Sequence, residues 1–212
     1  MRHSVFLSVI VFIFLSYGSV WAASTKSKSA AQSTKIGFVQ QNYAGTLNQS
    51  FSDGSPGYGI EISVDRGNTF LRYFLKGRVM HSEGTQNFLA GSTPFKSFYK
   101  YTAFAPELGI SLYPVTRRDK GLNLYVWAVG TISYNFLELD PVPTGSNIRT
   151  RDQAAGYGYG GGLGFEFMLG GARSQSRSMI YGEVAFRDER AQLLQTNSFE
   201  VAGITFSLGF GF

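Results

Sequence analysis

The sequence contains no cysteine, few histidines and no long apolar segment. Without cysteine, the chain can form neither a disulfide framework nor a thiolate metal site. The absence of a run of about 18 apolar residues excludes a helical membrane protein. Phosphate-loop, HExxH and GxSxG patterns are also missing, so no cofactor, metal or catalytic residue is predicted from a motif. Such a chain must be held together by burial or by backbone pairing alone.

The N-terminus has the order of a secretory signal peptide. A basic start precedes an apolar run at 5–15 and small residues up to Ala22, and we predict that residues 1–22 are cleaved after export. Small polar residues predict a flexible leader at 23–34, followed by a folded domain at 35–212. The mature chain keeps 18 basic and 14 acidic residues without a Lys/Arg run, which argues against a nucleic-acid partner.

Glycine and aromatic residues are abundant, with 26 Gly and 31 Phe or Tyr in the chain, and this composition is typical of strands. Apolar residues also alternate with small or polar ones, as Ile204, Phe206 and Leu208 do with Thr205 and Ser207. The alternation predicts eight strands, at 35–44, 57–65, 69–80, 99–113, 122–137, 154–169, 179–187 and 197–212.

The predicted connections differ in length in a regular way. The first, third, fifth and seventh are longer or more polar, at 48–56, 81–97, 138–152 and 188–196. The even ones are turns, the first of them at Gly67, which is predicted to supply a positive φ. This pattern is typical of membrane barrels, in which the sheet closes because lipid leaves no backbone group unpaired. The predicted fold is therefore all-β, a closed antiparallel up-and-down transmembrane β-barrel of eight strands.

Over 35–212 the pattern of amphipathic strands and a terminal aromatic resembles the small bacterial outer-membrane β-barrels, of the OmpA-transmembrane, OmpX and OmpW kind. The resemblance implies a location in the bacterial outer membrane, among its lipids and lipopolysaccharide. It also implies that the barrel-assembly machinery reads the last strand, with Phe210 and Phe212 as the signal and no residue after Phe212.

The nearest approach to a functional site is a set of charged residues that alternate with the outward apolar residues. Their positions along the strands therefore have the inward parity, meaning that they are predicted to face the lumen. We predict that seven of them form a network of paired charges that plugs the lumen: Glu61, Arg72, Lys76, Glu107, Glu166, Glu183 and Arg187. Arg72 is predicted as the hub, paired first with Glu61 and then with Glu107, while Lys76 is expected nearer the outer mouth. Four outward tyrosines near the long loops are predicted to form an external aromatic girdle: Tyr58, Tyr134, Tyr157 and Tyr159.

Three functions remain open. The favoured one is a structural or surface-interaction barrel whose long external loops are available to an extracellular ligand. The second is a narrow conduit for small or apolar molecules, and the third is a lipid A-modifying enzyme built around His81, Ser82 and Glu83. The enzyme is disfavoured because neighbouring residues on a strand face opposite ways. A soluble lipocalin-like carrier is disfavoured because its water-facing side would be rich in aromatics.

Overall fold

The computed structural model describes residues 32–43, 55–90, 93–142, 150–169, 178–193 and 199–212. The predicted signal peptide and most of the leader lie outside these ranges. The described residues form nine strands: β1 (Gln32–Tyr43), β2 (Gly57–Gly67), β3 (Leu71–Ala90), β4 (Thr93–Leu112), β5 (Gly121–Asp140), β6 (Arg151–Met168), β7 (Met179–Ala191), β8 (Phe199–Glu200) and β9 (Gly203–Gly211).

The strands form a single closed sheet. Strands β1 to β7 each pair antiparallel with the next strand in the chain, and β9 pairs with both β7 and β1. The short β8 pairs with the end of β7 in the same register as β9, so β8 and β9 together form the eighth strand of the barrel. The predicted closed, antiparallel, eight-stranded barrel is confirmed. Within the described ranges, no helix is long and apolar enough to cross a bilayer.

The two faces of the sheet differ sharply in chemistry. On β9, the apolar side chains from Ile204 to Phe212 are 44–68% exposed, whereas Thr205 and Ser207 point inward and are buried. The same alternation runs along β5, where Leu122 and Leu124 face outward. A soluble protein has apolar residues inside and polar residues outside, and this barrel has the reverse. The reversed arrangement suits a barrel whose outer face meets lipid.

The barrel has two distinct ends. The β2–β3 turn and the β4–β5 turn share one end, called here the turn end, with the start of β1 and the end of β9. The end of β6 and the start of β7 also lie there, since Met168 pairs with Met179 and with Gly121. The opposite end of the barrel is called here the loop end. There, β3 and β4 pair residue by residue as far as Ala90 and Thr93.

The prediction of a long polar loop at 81–97 is therefore wrong, because most of these residues belong to β3 and β4. Apolar and polar residues do not alternate there, and the prediction relied on that alternation. A row of exposed, oppositely charged side chains lies in register across β3 to β6, in the order Glu83, Lys100, Glu138 and Arg151. Strands that continue beyond an apolar belt into water need polar outer faces, so a reading based on apolar alternation ends too early.

Other predicted boundaries also change. β1 begins at Gln32, β5 continues to Asp140 and β7 to Ala191. The turn after β2 does not use a positive φ at Gly67; among the described glycines only Gly121 has one. Instead, the Asn68 side chain accepts hydrogen bonds from the two backbone N–H groups that begin the return strand, at 2.8 and 2.7 Å. An Asn side chain thus closes the turn in place of a strained backbone.

Candidate functional site: the charged lumen

Twelve charged side chains of the described residues are buried inside the barrel. They are Lys35, Glu61, Asp65, Arg72, Lys76, Arg78, Glu107, Arg117, Glu166, Glu183, Arg187 and Glu189. Six are acidic and six are basic, so the formal charge of this set is zero. All seven residues of the predicted network lie among them. The twelve form three clusters, stacked from the turn end towards the loop end.

Glu166 is the centre of the turn-end cluster. One of its oxygens accepts a hydrogen bond from the Tyr113 hydroxyl at 2.8 Å and lies 2.8 Å from the Lys35 ammonium. The other accepts a bond from Nε of Arg117 at 2.7 Å. Glu166 is completely buried, and three donors on two oxygens satisfy its charge.

Asp65 completes the turn-end cluster. Its Oδ1 accepts hydrogen bonds from the guanidinium of Arg72 and, at 2.7 Å, from the hydroxyl of Ser33. Its Oδ2 lies 3.6 Å from the Lys35 ammonium. Lys35 thereby bridges the two carboxylates of this cluster, Asp65 and Glu166.

The middle cluster is organised by Lys76. Its ammonium lies 2.7 Å from Glu183 and 3.4 Å from Glu61. Each carboxylate also accepts a hydrogen bond from a tyrosine: Tyr125 bonds to Glu183 at 2.7 Å and Tyr181 to Glu61 at 3.1 Å. Two acids on one lysine leave an excess negative charge, which offsets the excess positive charge of the turn-end cluster.

The loop-end cluster contains two arginines and two glutamates. Both oxygens of Glu107 accept from Arg187, and Nε of Arg78 also donates to Glu107 at 3.0 Å. Arg78 extends the cluster by donating to Glu189 and, at 2.9 Å, to the amide oxygen of Gln41. Glu107 is therefore held by two guanidinium groups at once.

Aromatic rings fill the space between the clusters. The Trp127 ring lies between two cations, with its centroid 5.1 Å from the Lys76 ammonium and 5.4 Å from the Arg187 guanidinium. At the turn-end side, the Lys35 ammonium lies 4.8 Å from the Tyr125 centroid. Cations at these distances are attracted to the ring faces, so the rings connect the clusters as well as filling the lumen.

Glycines on β6 make room for these large side chains. Its inward positions from Gly156 to Gly164 are all glycine. A Cβ on Gly164 would lie 2.3 Å from the Tyr125 ring, and one on Gly160 would lie 3.1 Å from the Arg187 side chain. The missing side chains therefore explain how a narrow barrel accommodates bulky polar residues from the strands on either side.

An apolar cluster occupies the loop end of the lumen. The inward residues of this cluster come from β1, β3, β4, β5 and the β7–β9 region: Val39, Tyr43, Met80, Tyr99, Tyr101, Ala103, Leu137, Leu139, Ala191, Leu193 and Val201. Val39 and Leu193 are completely buried. Where the apolar cluster meets the charges, the Tyr101 hydroxyl donates to Asn135 at 2.7 Å. The lumen thus changes from charged to apolar along its length.

The predicted hub at Arg72 is wrong. The ion pairs of Glu61 and Glu107 are made by other bases, and Arg72 pairs with Asp65. The cause is the register, because β2 and β3 place Glu61 opposite Arg78, and Arg72 opposite Gly67. Lys76 does not reach water at a mouth either, since it is buried in the middle cluster.

Five lumen charges were missing from the prediction. Asp65 and Arg78 have the inward parity of their strands and could have been included on that ground. Lys35 has the same signal, since its neighbours Ile36 and Phe38 alternate with it. No such signal pointed to the other two: Glu189 was assigned to a loop, and Arg117 lies in a turn.

The outward site residues lie on the expected face. Tyr58, Tyr157 and Tyr159 are exposed on the outer surface and Tyr134 is partly buried there. Phe210 and Phe212 are also exposed, at the turn end. Their roles as an aromatic girdle and as an assembly signal stay predictions.

His81 does not meet Ser82, as expected from strand geometry. It points outward, and its Nδ1 lies 2.9 Å from the Thr102 hydroxyl of the neighbouring strand, whereas Ser82 points inward. Its other nitrogen is 3.8 Å from Glu83, beyond hydrogen-bond distance. His81 and Glu83 are both about half exposed, which suits a solvated surface pair. Elsewhere in the described ranges, no cluster of three or more His, Asp or Glu side chains could hold a metal ion.

Comparison with known proteins shows the fold. No family model matches the sequence, and neither does any curated protein. The structure is similar to the outer membrane protein OprG from Pseudomonas aeruginosa, with a TM-score of 0.53 and 15% identity over 86% of this chain and 95% of that one. The chain therefore has the fold of the small eight-stranded outer-membrane β-barrel proteins.

Two further solved structures are similar at lower scores. Neisserial surface protein A gives a TM-score of 0.48 and 12% identity over 87% of this chain and 98% of that one. Ail of Yersinia pestis, in a complex with the heparin analogue sucrose octasulfate, gives a TM-score of 0.45 and 11% identity over 85% of this chain and 97% of that one.

Proposed function

We propose that this chain is an integral protein of the bacterial outer membrane that acts as a closed scaffold. Its barrel does not conduct ions, and its role is to hold the strands and connections of the loop end outside the membrane, where they are available to an extracellular partner. Lipid and lipopolysaccharide surround the outer face, and the barrel-assembly machinery inserts the chain. The outward apolar side chains and the likeness in fold to OprG support the membrane location.

The pairing of the lumen charges carries the proposal of a closed barrel. Each of the six acids and six bases lies within ion-pair distance of at least one opposite charge, and all are nearly inaccessible to solvent. An ion that entered would have to separate buried pairs, which is costly because each leaves an uncompensated charge. An eight-stranded barrel has an interior that side chains just fill. A barrel filled in this way supports structural and surface roles better than passage.

The outer faces of the extended strands support a surface role. The charged row from Glu83 to Arg151 places alternating charges above the apolar belt, and Arg151 bonds to Glu138 at 3.0 Å. A polar outer face and an apolar inner face let these strands stand in water as part of the barrel wall. These strand ends form the part of the barrel wall that is available to an extracellular partner.

Conductance of the refolded protein in a planar lipid bilayer tests the closed lumen. We expect no steady current, with a larger porin barrel inserted under the same conditions as the positive control. A steady, reproducible conductance from the wild-type protein would refute the closed scaffold and support the narrow conduit.

Stability in lipid tests the membrane location separately. Leu208 lies in the middle of the outward row of β9 and is exposed. A Leu208→Arg substitution should destabilise the refolded barrel by about 2–4 kcal/mol in vesicles, because a charge would face hydrocarbon. Asn42→Arg, outward at the loop end of β1, is the matched control and should change the stability little. Equal stability of both variants would favour a soluble carrier.

A further inference from the structure

We propose that Arg117 is a latch on the turn end of the lumen, and that the charged interior is a compartment that opens at this end only. The inference rests on the proposed closed lumen and specifies how it is closed. The apolar cluster seals the loop end permanently. The side chain of Arg117, inserted from the β4–β5 turn, seals the other end in a way that can be released.

Arg117 enters the lumen from outside the strands. It belongs to the turn between β4 and β5, yet its side chain is nearly inaccessible and its relative exposure is 8%. Its Nε donates to Glu166 at 2.7 Å, and its Nη2 lies 3.8 and 3.9 Å from the sulfur atoms of Met168 and Met179. The guanidinium also lies 5.8 Å from the Tyr113 ring centroid. It therefore spans from β4 to β6 and β7 across the mouth.

The turn that carries Arg117 is held in place without the help of its side chain. The backbone N–H of Arg117 donates to the Thr69 carbonyl at 2.9 Å, which ties this turn to the β2–β3 turn. The Asn123 side chain accepts from the Arg118 N–H at 2.6 Å and donates to the Arg118 carbonyl at 3.0 Å. Removing the guanidinium should therefore open the mouth without unfolding the turn.

The partners that remain around Glu166 also make Arg117 releasable. When its guanidinium leaves, Glu166 still has the ammonium of Lys35 and the hydroxyl of Tyr113 on its other oxygen. Arg117 itself moves towards water, where its charge is solvated. The loop-end arginine Arg187 differs, because its ion pair is with Glu107 deep in the barrel, so a released guanidinium would stay buried as an uncompensated cation.

The described part of the loop end contains no equivalent of Arg117. Its seal is the apolar cluster, in which side chains from five parts of the barrel wall meet and residues such as Val39 and Leu193 are fully buried. A hydrated ion crossing this layer would lose most of its water, because the layer consists mainly of apolar side chains and rings. The charged lumen is therefore accessible from the turn end when Arg117 is displaced, and the path stops at the apolar cluster.

Single introduced thiols test this directly, because the natural chain has no cysteine. Ser111→Cys places a reporter on β4 next to the turn-end cluster, opposite Arg72 and Trp127. Ser133→Cys places one beyond the charged clusters, on the loop-end side. Each reporter is combined with Arg117→Ala or with Arg118→Ala, a matched control for an exposed arginine of the same turn. The rate of reaction with a charged methanethiosulfonate reagent is measured in lipid nanodiscs.

With Arg117→Ala, the Ser111→Cys reporter should react about tenfold faster or more, equivalent to about 1.4 kcal/mol in the opening equilibrium. Arg118→Ala should leave its rate unchanged, and Arg117→Lys, which keeps a cation for Glu166, should restore much of the protection. The Ser133→Cys reporter should stay slow in every background. Circular dichroism and the gel mobility of unheated samples establish that each variant is folded.

Three outcomes would overturn the latch. They are an unchanged Ser111→Cys rate in folded Arg117→Ala, an equal increase with Arg118→Ala, and a parallel rise at Ser133→Cys, which would mean a path along the whole lumen. A failure of the closed scaffold looks different. In that case the Ser111→Cys reporter already reacts rapidly with Arg117 in place, and the wild-type protein conducts.

Discussion

Glu107 is the acid whose loss should cost the barrel most. Both of its oxygens accept from Arg187, and Arg78 donates to it at 3.0 Å. In Glu107→Ala, Arg78 keeps Glu189 and Gln41 as partners. Arg187 loses the ion pair that holds it, while its side chain stays buried against Gly160 and its Nε has no hydrogen-bond partner among the described residues. The substitution therefore leaves one buried cation uncompensated.

The magnitude follows from the burial of the pair. Removing one partner of a buried ion pair typically costs about 3–5 kcal/mol, and Glu107 and Arg187 are both about 1% exposed. The exposed pair of Glu138 and Arg151 has a similar distance, 3.0 Å, but its side chains are 49% and 81% exposed. Solvent screens that interaction, so Glu138→Ala should cost at most about 1 kcal/mol. The two glutamates form a matched comparison within one barrel.

Urea unfolding in lipid vesicles, followed by tryptophan fluorescence, measures both free energies of unfolding. Trp127 contacts Arg187, so its emission reports on this part of the lumen. A double variant, Glu107→Gln with Arg187→Met, removes the uncompensated cation and should recover much of the stability lost in Glu107→Ala. If Glu107→Ala unfolds at the same urea concentration as Glu138→Ala, the lumen pairs are not desolvated and the reasoning fails.

Two further comparisons test the packing of the lumen. Lys76→Ala should destabilise the barrel more than Arg72→Ala in the same urea assay, because Lys76 compensates two acids, whereas Asp65 keeps contact with Lys35 when Arg72 is removed; the reverse order would contradict the cluster assignment. Gly164→Ala should cost about 1–3 kcal/mol through overpacking against a tyrosine ring, while an alanine at outward Gly130, which meets nothing within 4 Å, should be nearly neutral in thermal unfolding followed by circular dichroism. Similar melting temperatures for the two glycine variants would show that the inner wall can relax.

The sequence predicts the faces of this barrel well because lipid and lumen impose opposite chemistry on alternate residues. The inward position of Glu61, Lys76 and Glu183 follows from parity alone. Beyond the apolar belt, the alternation of apolar and polar residues no longer shows which side chains face outward. Glu83 and Lys100, for example, lie on the outer face of strands that continue into water. Polar residues on both faces resemble a loop, and strand ends were therefore placed too early.

Pairing partners depend on register, which the sequence specifies only weakly. The turn closed by the Asn68 side chain puts Glu61 opposite Arg78 and not near Arg72. A shift of the expected register by a few residues changes every cross-strand pair while keeping each side chain on its face. Contacts across the lumen, such as that of Lys76 with Glu183, join strands far apart in the chain, and no local pattern encodes them.

The balance of the lumen charges explains how a polar interior can be stable in a membrane. The set takes six of the 19 basic and six of the 14 acidic residues of the chain, which leaves 13 and eight, so the net charge of +5 belongs entirely to residues outside this set. An unbalanced lumen would have to draw in counter-ions and water, and would thereby become a path for them. Neutrality within the set removes that need. Pairing of the charges therefore supports the proposed closed lumen, and the releasable pair at Arg117 is where closure should fail first.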